Sequence, residues 1–116
     1  MSPEQREGAW LVRDGDVLAA VELTAGRRDR MRGLLGRTDF EGALVIRPCK
    51  QVHTLGMRFP IDVAFCNSDG VVLRMVSLRP WRMSRIVRRA AFVVEAPEGA
   101  FERWRLRHLD VLEVKE

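Results

Sequence analysis

The chain is short of cysteine, histidine and lysine, and each shortage narrows what it can be. Its two cysteines, Cys49 and Cys66, lack the close spacing of a zinc-ligating pair and are expected as reduced thiols. Two histidines far apart in sequence do not complete a metal set, so neither a metal nor a cofactor is expected. No apolar run approaches the roughly 18 residues that a membrane-crossing helix needs, which sets the expectation of no membrane partner. The first residues, Met-Ser-Pro-Glu-Gln-Arg-Glu, are polar and include two acids, unlike the basic start and apolar stretch of a secretory signal; the expected location is the cytoplasm. No Pro/Gly/Ser-rich linker, repeat or low-complexity stretch divides the 116 residues, so residues 1–116 read as one domain.

What is present is arginine. Of 20 basic residues only Lys50 and Lys115 are lysine, and the formal charge is +4. Codon preference in a GC-rich genome accounts for that bias as readily as selection for forked guanidinium contacts, so the excess alone does not establish a polyanion partner.

Turn signals and aliphatic runs organise the chain. Trp10 to Val12 and Val17 to Leu23 flank Asp14-Gly15-Asp16 and read as a hairpin. Thr24 can cap a helix running to about Leu35 and ended by Gly36. Ala43 to Ile46 is a short strand stopped by Pro48, and Asn67-Ser68-Asp69-Gly70 turns the chain into a strand over Val71 to Leu78. Ala90 to Glu95 is a strand closed by Pro97-Glu98-Gly99, Ala100 to Leu106 a short helix, and Asp110 to Val114 a last strand. The expected class is α+β, mostly β: a compact antiparallel barrel- or sandwich-like sheet of six to eight strands with two short helices.

The richest stretch chemically is Cys49 to Asp62. Read as antiparallel strands 49–54 and 61–66 joined by the loop 55–60, it sets His53 against Asp62 and Cys49 against Cys66. A one-residue slip would exchange the two faces. A carboxylate bonded to imidazole fixes its tautomer and raises its basicity, so His53 and Asp62 can act as base and orienter. Thr54, Cys49 and Cys66 are then the nearby nucleophiles, with no local signature selecting one. The structural alternative is a buried bond between the two, or an Asp62 that accepts backbone N–H groups of the loop 55–60. Met57, Phe59 and Trp81 can line an apolar pocket whose polar contacts are His53, Thr54 and Arg82, although packing is the commoner fate of such side chains.

Two arginine clusters stand out, one over Arg27, Arg28, Arg30, Arg32 and Arg37, the other over Arg79, Arg82, Arg85, Arg88 and Arg89. No helix-turn-helix, RNA-recognition or zinc-finger pattern accompanies them, and the 16 acids read as spread widely enough to break up a continuous basic surface. Nucleic acid is therefore the less favoured partner. Glu95 and Asp110 are candidate structural partners for some of these arginines.

Several motifs resemble the prokaryotic family called domain of unknown function 192. They are Arg32-Gly33-Leu34-Leu35-Gly36-Arg37, the core His53-Thr54, Met57 and Pro60-Ile61-Asp62, the turn within Phe65 to Val72, Pro80-Trp81-Arg82, and Glu95 followed by Gly99. The resemblance covers about residues 15–114 and implies a compact β-rich domain without an established activity. It also shows a departure: the family pattern places glycine before the aspartate of the last strand, where this chain has Leu109-Asp110.

The leading expectation is a domain that binds a small polar or anionic ligand through His53, Thr54, Met57, Asp62, Trp81 and Arg82. An enzyme using His53 with Asp62 is the first alternative, although the balance favours no enzyme. A polyanion or protein interaction module is the second, and it would show an exposed apolar patch around the loop 55–60 or Trp81 in place of a cavity.

Overall fold

The computed structural model describes residues 9–24 and 42–116. The expected helix from Thr24 to Leu35 and the first arginine cluster lie outside these residues. The chain forms β1 (Ala9–Arg13), β2 (Asp16–Thr24), β3 (Ala43–Ile46), β4 (Ile61–Cys66), β5 (Val72–Leu78), β6 (Phe92–Pro97), a helical turn α1 (Ala100–Arg103) and β7 (Glu113–Lys115). All seven strands belong to one sheet in the order β5-β4-β6-β3-β2-β1-β7. The fold is mostly β, as the alternating aliphatic runs imply. The all-antiparallel expectation is corrected at one place, because β2 and β3 pair in parallel with Val21 opposite Ala43 and Thr24 opposite Ile46. A parallel pair needs a crossover of a dozen or more residues, and the chain between Thr24 and Ala43 is long enough to supply one.

The second correction concerns the hairpin expected over 49–54 and 61–66. Both edges of β4 are taken: Asp62 lies opposite Ser77 of β5 on one side and Ala96 of β6 on the other. All six residues of β4 are buried. A strand this apolar gains most with a neighbour on each edge and cover on each face, and the tight turn after it makes β5 the nearer partner. In that turn Asn67 Oδ1 accepts the N–H groups of Asp69 (3.0 Å) and Val71 (2.9 Å). Gly70 sits at φ +84°, where a Cβ would fall 2.1 Å from the Leu112 carbonyl oxygen, so no other residue fits without moving the backbone.

Alternation along the central strands divides the core between two faces. Ala64 and Cys66 of β4, Val45 of β3 and Val94 of β6 join Leu11, Phe101, Leu106 and Leu112 on the first face. Ile61, Val63 and Phe65, with Ile46 and Val93, join Val52, Met57 and Phe59 on the second. Glu95 is fully buried in β6, opposite Leu44 and Val63, a costly place for a carboxylate. Asp110 pairs with an arginine: its Oδ2 lies 3.1 Å from Arg13 Nη1 and also accepts the Arg107 N–H at 2.8 Å.

Candidate functional site

Displaced from β4, residues 50–54 pair instead with 81–87 and form an irregular two-stranded ribbon over the second face. Val87 N–H donates to Lys50 O (2.8 Å) and Ser84 N–H to Val52 O (2.8 Å), while His53 bridges Met83. Thr54 N–H donates to Arg82 O (2.8 Å) and Trp81 N–H donates to Thr54 O (2.9 Å). Val52, Met57 and Phe59 plug the ribbon into the core, which fixes its position above the sheet.

Thr54 is the centre of this arrangement. Its side chain is fully buried, and its hydroxyl donates to Arg79 O (2.5 Å) while accepting the Arg82 N–H (2.9 Å). One hydroxyl thus joins the chain on either side of Pro80-Trp81. The tie holds Trp81 at φ +64°, a left-handed conformation that a bulky side chain adopts only when its surroundings impose it. The indole is 64% exposed.

Beside Trp81 stand Met83 and Ile86, both about as exposed, and Leu55 across the ribbon. Lys50, Arg58, Arg79, Arg82, Arg85, Arg88 and Arg89, on the same two segments, are all exposed, whereas Arg47 stacks on Phe92 of the first face at 4.9 Å. No Asp or Glu occurs between Glu41 and Asp62, or between Asp69 and Glu95. Within these two stretches of the described residues no acid interrupts the basic side chains. Two acid-free stretches far apart in sequence are folded against each other, and that gap was readable from the sequence. Leu55, Met83 and Ile86 were missed because apolar residues between strands look like core until the ribbon places them outside.

Asp62 lies elsewhere. It shares the first face with Ala64 and Cys66, where its Oδ2 accepts the N–H groups of Gly99 (3.0 Å) and Phe101 (3.2 Å). It therefore closes the turn into α1 and not the loop 55–60. The sheet stands between it and the His53 ribbon, so His53, Thr54, Met57, Trp81 and Arg82 are brought together and Asp62 is not. Half-buried His53 accepts the Leu55 N–H on Nδ1 (3.2 Å). Arg82 Nη1 reaches the Trp81 carbonyl at 3.4 Å. Asp62 instead lines a groove of about 470 Å³ with Met75, Val76, Ser77, Phe101 and Leu106.

The cysteines separate in the same way. Cys66 is sealed in the first face, and burial pushes its thiol up to about 12. Cys49 packs at the border of the second face, half-buried, with Sγ 3.2 Å from Gln51 O. Both are free thiols. The described residues hold no group of three or more His, Cys, Asp or Glu side chains placed to ligate a metal.

The family model of DUF192, described as "Uncharacterized ACR, COG1430", matches residues 10–114. The chain belongs to that family. A UPF0127 protein of Pyrococcus furiosus is 45% identical over 51 residues, 44% of each chain, and one of Pyrococcus abyssi is 30% identical over 84 residues, 68% of this chain and 72% of the other. The match thus spans under half the length of the first relative. Two crystal structures share the fold. One is a protein of Sinorhizobium meliloti 1021 described as a candidate transcription regulator, with TM-score 0.73, 23% identity and coverage of 93% of this chain and 95% of that one. The other is a protein of unknown function from Novosphingobium aromaticivorans, with TM-score 0.72, 15% identity and coverage of 93% and 83%. The DUF192 motifs around Thr54, Asp62, Trp81 and Gly99 are the points where this domain ties its loops to its sheet.

Proposed function

We propose that this DUF192 domain is a binding module for an anionic partner, received on the ribbon formed by 50–58 and 79–89. The observation that carries it is the pairing of two acid-free segments, which together carry seven exposed basic side chains and the exposed Leu55, Trp81, Met83 and Ile86. Apolar side chains this exposed, in one patch, mark contact surfaces, and arginines on segments that carry no acid select the sign of what they contact. His53, Trp81 and Arg82 stay in the site, while Thr54 and Met57 support it from beneath. No catalytic pair is built into this reading, since His53 and Asp62 face away from each other.

Any basic protein adheres to a polyanion, so the test compares positions. Arg82→Glu/Arg85→Glu should release the protein from a heparin resin at distinctly lower salt than Arg103→Glu/Arg107→Glu, an equal change of charge on the α1 side. Equal shifts would show that net charge alone is responsible and defeat the proposal.

The groove at Asp62 favours a second reading, a small polar ligand, because its volume falls within the usual range for such sites. A ligand screen by thermal stabilisation tests it: hits abolished by Ser77→Trp, which fills the groove from β5, support it, and hits that survive that change do not.

A further inference from the structure

We infer that the anionic partner of the ribbon is a lipid surface, with Trp81, Met83, Ile86 and Leu55 entering the headgroup layer and the arginines around them contacting anionic headgroups. This rests on the binding-module reading and narrows it to one class of partner. The first argument is shape. Trp81, Met83 and Ile86 are 60–64% exposed, and they line none of the three grooves at Asp62, Leu18 and Pro48. Side chains that protrude in this way suit a bilayer surface, which deforms around them, better than a ligand that must be enclosed.

The second argument is composition. Single-stranded nucleic acid is gripped by stacking on aromatic rings, and three of the four exposed apolar residues of the ribbon are not aromatic. Protein interfaces usually set a continuous apolar centre inside a polar rim. Here the order Arg79, Trp81, Arg82, Met83, Arg85, Ile86, Arg88 interleaves the two kinds along one strand of the ribbon. Apolar tips alternating with cations fit a surface whose charge and acyl chains lie a few ångströms apart in depth. Tryptophan and arginine both suit that boundary, the one for its amphipathic ring and the other for its long stem.

The expectation of no membrane partner came from the lack of a spanning run. Among the described residues no helix is long and apolar enough to cross a bilayer, but lying on a surface requires none. The backbone geometry agrees with an external role for the indole, since Thr54 holds Trp81 in a strained conformation that leaves its ring outside.

Cosedimentation of the whole chain with vesicles tests this. Binding is expected to phosphatidylcholine vesicles containing one third phosphatidylglycerol, and little to phosphatidylcholine alone. Trp81→Ala/Ile86→Ala should weaken it about tenfold at an unchanged melting temperature, and Arg82→Ala/Arg85→Ala should weaken it by a similar factor that shrinks as salt rises. Equal binding to both vesicles, or phosphatidylglycerol binding that survives Trp81→Ala/Ile86→Ala, overturns the lipid inference. If vesicles fail while heparin retention still depends on Arg82 and Arg85, the lipid partner is wrong and the binding module stands. Tighter binding to polyglutamate than to phosphatidylglycerol vesicles assigns a protein partner instead, and loss of position-dependent retention on heparin removes both readings.

Discussion

Asp62 and Thr54 perform similar local work on opposite faces of one sheet, and what they leave outside is different. Each is a buried side chain whose oxygen binds backbone groups of a distant segment: Asp62 takes two N–H groups at the start of α1, and Thr54 joins the carbonyl of Arg79 to the N–H of Arg82. On the Asp62 side the anchored segment turns Phe101 and Leu106 into the core. On the Thr54 side it turns Trp81, Met83 and Ile86 toward solvent among arginines. Both ties cost desolvation of a polar group and recover it in hydrogen bonds. Only the Thr54 side leaves apolar side chains exposed among arginines, and the function we propose belongs to that face.

The contrast breaks most sharply if each tie is cut. Asp62→Ala leaves two amides without their acceptor and should cost about 3 kcal/mol in denaturant unfolding. Thr54→Val keeps the shape and removes the hydroxyl, with an expected cost of about 2 kcal/mol, and Thr54→Ser should restore most of it. The difference to look for is in binding: at a temperature where both variants are folded, Thr54→Val should weaken retention on anionic vesicles while Asp62→Ala leaves it unchanged. Equal loss in both would mean that the two faces are not independent.

The cysteines sharpen the same comparison through pH. The Cys66 thiol, buried on the Asp62 face, titrates near 12 in the folded protein against 9.0 when exposed. Below pH 9 both states keep the proton and stability does not depend on this group. Between 9 and about 12 the unfolded chain loses the proton and the folded chain keeps it, so stability falls as pH rises, by about 1.4 kcal/mol per unit. The chain contains no tyrosine, which removes one common source of alkaline titration. Cys66→Ala should flatten the slope measured in urea between pH 9 and 10.5, with about 10.5 chosen to stay below the folded value.

How far the sequence reads the molecule follows from the range of each interaction. The β1–β2 hairpin, β3, β5 and β6 were legible because alternation and turn residues are local signals, and Asn67 to Gly70 behaves as its composition implies. The pairing of 49–54 was not, because two candidate partners competed and the choice depended on β6, which begins 26 residues after β4 ends, filling the other edge, a distance of that order being invisible to local pattern. The grouping of His53, Thr54, Met57, Trp81 and Arg82 came from residue type and placement along the chain, while the separation of Asp62 from them is a property of the sheet. That two acid-free stretches meet is long-range as well, although each gap was visible by itself.

A last comparison pits two strained residues against each other. Leu109 stands where the family pattern has glycine, and it keeps the turn at φ +74°, its side chain 62% exposed. Trp81 has nearly the same backbone and exposure. Glycine at either site removes the left-handed penalty, opposed by its greater freedom in the unfolded chain. Leu109→Gly should therefore raise stability by about 1 kcal/mol, read as an upward shift in melting temperature, without altering vesicle binding. Trp81→Gly should gain somewhat less, about 0.5 kcal/mol, because more contact is given up, yet vesicle binding should drop. If Trp81→Gly gains stability and binding survives, the strain at this position is not kept for contact with an anionic surface, and Trp81 and Leu109 are equivalent features of two turns.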